Sequence, residues 1–210
     1  MQSFEMYVSG DKMTDAIILA GGDGKRLGLN IPKALIPIGG KTLLQRQIEY
    51  LKQHSIRDIG IAVKEEHLKL FQEELSKAFP NEYQRTIGCV SENVKLGTAG
   101  AFKHVIKRIF WKQKCRNAFI VLNCDDLVQL NLKKMPVNSI AVTHPRLPFG
   151  QIKIGYPNMA EFMKANGKEI DENQIFSFDE KPLLKNIWVS CVWYHLDKSI
   201  YKYLPDKGDL

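Results

Sequence analysis

Asp15-Ala16-Ile17-Ile18-Leu19-Ala20-Gly21-Gly22-Asp23-Gly24-Lys25-Arg26-Leu27-Gly28 is the stretch on which the fold of this chain turns. Its first six residues are almost wholly apolar and run into glycines, the pattern of a short strand buried on both faces of a parallel sheet. Gly21, Gly22 and Gly24 then let the backbone turn sharply and come close to a phosphate. Arg26 offers a planar fork to phosphate oxygens, and Lys25 adds positive charge. On glycine spacing alone, a tight turn with solvated basic side chains explains the stretch equally well. Two common nucleotide loops do not fit. Gly22, Gly24 and Gly28 are spaced G-x-G-x-x-x-G, which is not the dinucleotide fingerprint. Gly40-Lys41-Thr42 supplies the end of a P-loop, but the first glycine of that motif would fall at Leu35.

Outward from this stretch, strand-like and helix-like segments alternate. Thr42 to His54 reads as a helix, with Thr42 and Gln45 as a capping box and Leu44, Ile48 and Leu51 as its apolar stripe. Ile59–Val63 is a second strand. Glu65 to Phe79 is a second helix, its acidic start at the positive end and Pro80 as its stop. Thr86–Val90 is a third strand, Gly97–Lys112 a third helix with Phe102, Val105, Ile106, Ile109 and Phe110 inward, and Ala118–Leu122 a fourth strand. This rhythm predicts a parallel sheet covered on both faces, with ligands at the carboxyl ends of its strands where the strand order reverses. After about Ser139 the rhythm changes. Ser139–His144, Gln151–Ile154, Ile175–Asp179 and Ile187–His195 are strand candidates, and Ala160–Lys168 reads equally as helix or strand.

At 210 residues, 44% hydrophobic and 25% charged, the composition is that of a soluble globular chain rather than a disordered or fibrous one. No apolar run approaches the roughly 18 residues of a membrane span, and Met1–Met13 has no apolar signal core, so the cytoplasm is the expected location. Residues 1–13 read as a loose leader, and 14–210 as a single domain. The four cysteines show no metal spacing; Cys89, Cys124 and Cys191 sit in apolar runs and read as buried free thiols. A net charge of +7 suits an anionic partner. Lys103, Lys107, Arg108, Lys112, Lys114 and Arg116 form a basic stretch without an aromatic platform, read as a solvated helix face and not a nucleic-acid site. Trp188 and Trp193 read as core residues, and His67 and His104 as solvent-facing.

Further along, ordered motifs accumulate: Pro32-Lys33 with Gly39-Gly40-Lys41, Leu96-Gly97-Thr98-Ala99-Gly100, Asn123-Cys124-Asp125, Phe149-Gly150, Glu180-Lys181-Pro182 and Val189–Tyr194. Together with the first loop they resemble the sugar-phosphate nucleotidyltransferase family, whose members make nucleotide-sugars, from about Ala16 to Leu210. The resemblance implies a three-layer, Rossmann-like α/β fold with a mainly parallel mixed sheet, in which 14–138 is the nucleotide-binding half and 139–210 the sugar-binding half. It implies an enzyme that transfers NMP from an NTP to a sugar 1-phosphate, giving a nucleotide-sugar and pyrophosphate, with Mg2+ as cofactor and without nucleic acid or membrane as partner; it leaves the oligomeric state open. By resemblance, Leu19, Ala20, Gly21, Gly22, Gly24, Lys25, Gly97 and Thr98 bind nucleotide, and Arg26 holds the leaving pyrophosphate. Lys33 stabilises charge on the α-phosphoryl group, and Asp125 holds the metal. Gly150, Glu180 and Lys181 bind the sugar phosphate. Asp126, next to Asp125, reads as a cap or supporting group.

The chain departs from the family at four places. Lys25 replaces a small hydroxyl residue, the stretch between Leu27 and Pro32 is short, and Val192 stands where glycine is common. Family members also continue past a segment like Leu204–Asp209 to a second metal-binding aspartate. Leu96–Gly100 leans towards mannose 1-phosphate guanylyltransferases. The alternatives are a cytidylyl- or guanylyltransferase with a non-sugar acceptor and a catalytically weak, nucleotide-sugar-binding regulatory protein.

Overall fold

The computed structural model describes residues 14–24, 28, 31–110, 117–154 and 175–210. The leader 1–13, Lys25, Arg26 and the ambiguous segment 160–168 lie outside the described residues. In chain order the elements are β1 (Thr14–Leu19), the two-residue strands β2 (Pro37–Ile38) and β3 (Lys41–Thr42), α1 (Leu43–Gln53), β4 (Ile59–Lys64), α2 (Leu68–Ala78), β5 (Ile87–Glu92), α3 (Gly97–Val105), β6 (Ala118–Asn123), β7 (Ser139–Thr143), β8 (Gln151–Ile154), β9 (Ile175–Asp179) and β10 (Val189–Asp197).

Six strands form one sheet in the order β5-β4-β1-β6-β10-β7. β5, β4, β1 and β6 are parallel, and β10 runs antiparallel to β6. The central strands are apolar on both faces because both are covered. Ala16 and Ile18 of β1 pack with Leu44, Ile48 and Leu51 of α1 and with Phe71 and Leu75 of α2. Ile17, on the opposite face, packs with Phe102 and Val105 of α3. The result is the expected three-layer α/β arrangement, a mostly parallel sheet between two helical layers. Each of these buried side chains other than Ala16 contributes roughly 1.5–3 kcal/mol over leaving it exposed.

Local chemistry sets the element ends. Thr42 caps α1 as the sequence predicts: its Oγ1 accepts from Gln45 N–H at 3.2 Å, and Gln45 Oε1 accepts from Thr42 N–H at 3.1 Å. The first turn of the expected second helix is a 3₁₀ turn, Glu65–His67. The third helix is α-helical only to Val105 and then widens into a π turn, Ile106–Phe110, which carries Ile106 and Phe110 into the same core as Phe102. The β2–β3 hairpin around Gly39-Gly40 was not expected from the sequence.

Other expectations are corrected. Trp193 is fully buried, but Trp188 is 63% exposed, because β10 starts one residue after it and its ring stacks on His144 at 3.8 Å. The described cysteines are free, yet only Cys124 is buried, while Cys89 and Cys191 are half-buried. Burial pushes the Cys89 thiol up to about 12. His67 and His104 are half-buried rather than solvent-facing: His67 lies 3.6 Å from Asp23, and the His104 ring meets Ser91 O at 3.2 Å.

The chain divides into two compact units, one running to Ala141 and resuming at Cys191–Leu210, the other Val142–Ser190. No described helix is long and apolar enough to cross a membrane.

Candidate active site

From β1 the chain steps outward to β4 and β5, then returns to pair β6 with the other side of β1. This is a topological switch point, and the carboxyl ends of β1 and β6 open into a crevice there. A cleft of about 630 Å3 lies at that edge. It brings together Leu19, Gly21, Gly22, Gly24, Lys33, Gly97, Thr98 and Asp125, all of them residues singled out in the sequence. Ala20 is not in its lining; it is buried, and its N–H donates to Ala62 O at 2.9 Å.

The glycine loop leaves β1 and passes under Lys33. Lys33 N–H donates to Gly22 O at 3.2 Å. A Cβ on Gly24, whose φ is +67°, would stand 2.8 Å from Ile31 O, so only glycine permits this turn. Lys33 opens a 3₁₀ turn anchored by buried Ala34, and its Nζ reaches Asp125 Oδ2 at 2.8 Å.

Asp125 follows β6. Cys124 N–H still pairs with Leu19 O at 3.0 Å, which continues the β1–β6 ladder to the residue before it. Gln47, a buried polar residue of α1, donates from Nε2 to Cys124 O at 3.3 Å and to Asp126 O at 3.0 Å. Trp193 Nε1 donates to the same Asp126 carbonyl at 2.9 Å. The Asp126 carboxylate accepts from Asn123 Nδ2 at 3.1 Å, and burial pushes its pKa up from the usual carboxylate range. Asp126 therefore braces the loop that presents Asp125, the supporting position expected of it.

The cleft also holds residues that sequence reasoning passed over: Asp23, Lys64, Glu92, Lys95, Asn123 and Asp209. Lys64 Nζ hydrogen-bonds Asp23 Oδ1, and that carboxylate raises the lysine pKa. Glu92 Oε2 accepts from Leu96 N–H at 3.4 Å, and burial raises its pKa. Lys64, Glu92 and Asn123 each close an apolar strand at the ligand-binding edge, which is the signal that would have found them. Lys33, Lys64 and Lys95 face Asp23, Glu92, Asp125 and Asp209, so the described lining has no cationic surplus of its own. A triphosphate there needs further cations. Asp125 offers a carboxylate oxygen, the donor a hard divalent cation takes.

Within the second unit, Gly150 and Glu180 come together: a Cβ on Gly150 would stand 3.3 Å from Glu180 Oε2 and 2.7 Å from the Phe178 ring. Lys181 has φ +47°, a conformation rare outside glycine, and its Nζ lies 3.8 Å from Glu180 Oε1. Backbone bonds from Leu147 N–H to Pro182 O, 3.1 Å, and from Leu184 N–H to Pro145 O, 2.9 Å, hold that turn. Val192, where the resembled family favours glycine, has φ +52°. It takes the backbone shape of glycine with a β-branched side chain.

The chain is 30% identical to the D-glycero-alpha-D-manno-heptose 1-phosphate guanylyltransferase of Campylobacter jejuni, over 89% of this chain and 77% of that one. It is 31% identical to the mannose-1-phosphate guanyltransferase of Schizosaccharomyces pombe, over 80% of this chain but 45% of that longer protein. The crystal structure of HddC from Yersinia pseudotuberculosis, complexed with GMP-PN, has the same fold, with a TM-score of 0.59 at 24% identity over 93% of this chain and 82% of that one. The family described as Nucleotidyl transferase matches residues 15–208, nearly the whole sequence, and the chain belongs to that family.

Proposed function

We propose that the chain transfers the nucleotidyl group of an NTP, GTP in particular, to a sugar 1-phosphate and releases pyrophosphate. One observation carries the reading: Lys33 Nζ and Asp125 Oδ2 stand 2.8 Å apart beside the glycine loop, at the switch point of the sheet. A sugar 1-phosphate oxygen attacks the α-phosphorus, the bond from that phosphorus to the oxygen bridging to the β-phosphate breaks, and pyrophosphate leaves with the bonding electrons. Two anions must meet, so fixed positive charge is needed where negative charge develops.

Lys33 supplies it at the α-phosphoryl oxygens. Arg26 and Lys25 serve the pyrophosphate and the triphosphate. Asp125 would hold Mg2+, which when bound would neutralise phosphate charge. A bound triphosphate gives Lys33 an anionic partner other than Asp125, which frees that carboxylate. Leu19, Gly21, Gly22, Gly24, Gly97 and Thr98 shape the nucleotide wall, with buried Ala20 supporting it from behind. Glu180 takes sugar hydroxyls, Lys181 the sugar phosphate, and Gly150 lets the backbone approach the sugar.

Glu92 supports guanine. Its half-buried carboxylate has two acceptor oxygens, and guanine alone among the common bases presents N1–H and N2–H2 side by side as donors. The names of the two relatives point the same way. The test is pyrophosphate release with the four common NTPs against a panel of hexose and heptose 1-phosphates. Release is expected with GTP and at least one of these sugar phosphates. GTP binding without release for any pair would favour the regulatory reading instead.

A further inference from the structure

Helix α3 begins at the cleft without a cap of its own. Leu96, at the N-cap position, has no side-chain acceptor, so the first amides of the helix need partners from elsewhere. They come from more than a hundred residues away. Thr98 N–H donates to Asp209 Oδ1 at 2.9 Å, and Thr98 Oγ1 donates to the same oxygen at 3.3 Å. Ala99 and Gly100 N–H donate to Gly208 O at 2.9 and 3.2 Å, and Gly208 N–H donates to Leu96 O at 2.7 Å. The approach is so close that a Cβ on Gly97 would stand 2.4 Å from Gly208 O. Gly97 itself has φ +78°.

The two acceptors divide the work. Gly208 holds the helix through Ala99 and Gly100. Asp209 holds Thr98, whose Oγ1 also accepts from Leu210 N–H at 2.8 Å, and Thr98 belongs to the cleft wall together with Gly97 and Glu92. Leu96, next to that wall, is tied to Glu92 through its own N–H. The Thr98 amide and hydroxyl hold the Asp209 carboxyl below the usual carboxylate range, so it stays an acceptor through the working pH range.

We propose that Asp209 is a positioning residue for the nucleotide: it fixes the Gly97–Thr98 wall against which the base is read, without itself taking part in the chemistry. The inference rests on the proposed function, which puts a nucleoside triphosphate in this cleft. Removing the Asp209 side chain leaves Ala99 and Gly100 bonded to Gly208, so the helix stays capped and only the wall loosens. Losses then appear in nucleotide binding and base discrimination, while sugar-phosphate use is untouched.

The experiment compares wild type, Asp209→Ala and Asp209→Asn in the full chain. Calorimetric GTP binding, KM for GTP and for the sugar 1-phosphate, and the GTP-over-ATP ratio of kcat/KM are measured. Asp209→Ala is expected to raise KM for GTP about tenfold and to reduce the GTP-over-ATP ratio, as loss of a typical N-cap bond would. KM for the sugar 1-phosphate should stay within about twofold. Asp209→Asn keeps the Oδ1 acceptor and is expected to stay close to wild type, which a charge effect would not allow. Amide exchange provides a readout independent of turnover: Thr98 should lose protection in Asp209→Ala while Ala99 and Gly100 keep theirs. Wild-type GTP affinity and discrimination in Asp209→Ala would overturn the proposal. So would equal rises in both KM values, or an Asp209→Asn variant as impaired as Asp209→Ala. A wild-type chain that binds no nucleoside triphosphate would refute the proposed function itself, and this role of Asp209 with it.

Discussion

Lys33 and Asp125 form an ion pair whose side chains are 34% and 42% exposed. A pair that solvated is worth at most about 1 kcal/mol, so stability does not explain why a lysine is held against this aspartate. Placement for the phosphates does. Lys33→Ala should therefore lower kcat by about 100- to 1000-fold, the cost of removing one preorganised charge-stabilising group. Its urea unfolding midpoint should barely move. A variant that turns over normally would remove Lys33 from the α-phosphoryl group. Both residues were legible in the sequence, because Pro32-Lys33 and the Asp125 that follows an apolar strand are local patterns. Glu92, the last residue of β5, carries the same kind of local signal; Asp209 carries none. Asp209 meets Thr98 across 111 residues, a pairing that no local periodicity encodes.

At the scale of elements, the apolar pattern located the strands and α-helices longer than two residues among the described residues; in β1, β4, β6 and the α-helices it marks a buried face, whereas Ile152 and Ile154 of β8 and Ile175 and Phe178 of β9 are exposed. It failed where no face repeats. The two-residue strands β2 and β3 are too short to show a period, and the change from α to π geometry after Val105 leaves the apolar spacing almost unaltered. The sequence was equally silent on how closely α3 approaches the sheet. Gly60 of β4 shows that distance, since its Cβ would lie 2.4 Å from Val105 Cγ1 and 3.1 Å from Phe110 Cε2. Both neighbours are buried, so neither has free space to move into. Gly60→Ala should destabilise the chain by about 1–3 kcal/mol through overpacking. Gly88→Ala on β5 meets only the flexible tip of Ile109, at 3.2 Å, and should cost less. Urea unfolding of the two variants checks the ranking. A Gly60→Ala protein as stable as wild type would mean that α3 can shift outward at no cost.

For the molecule as a whole, the division of labour follows the division of the chain. Every described residue lining the cleft belongs to the unit formed by the residues up to Ala141 and Cys191–Leu210. Gly150, Glu180 and Lys181, the residues assigned to the sugar phosphate, all belong to Val142–Ser190. Two anionic substrates assigned to two units should respond separately to substitution. Lys181 is the clearest probe: its side chain is 62% exposed, Glu180 Oε1 is 3.8 Å from its Nζ, and its backbone is held at φ +47° by the turn around Pro182. Truncating it removes a cation and no core packing. A charge-assisted hydrogen bond to phosphate contributes roughly 1.5–3 kcal/mol, so Lys181→Ala should raise KM for the sugar 1-phosphate by about 10- to 100-fold. The same substitution should leave the calorimetric Kd for GTP, measured without the sugar phosphate, within about twofold, because Lys181 is assigned to the sugar phosphate and not to the nucleotide. Parallel losses in both quantities would show instead that Lys181 serves the nucleotide, and that the sugar phosphate is held by residues of the first unit.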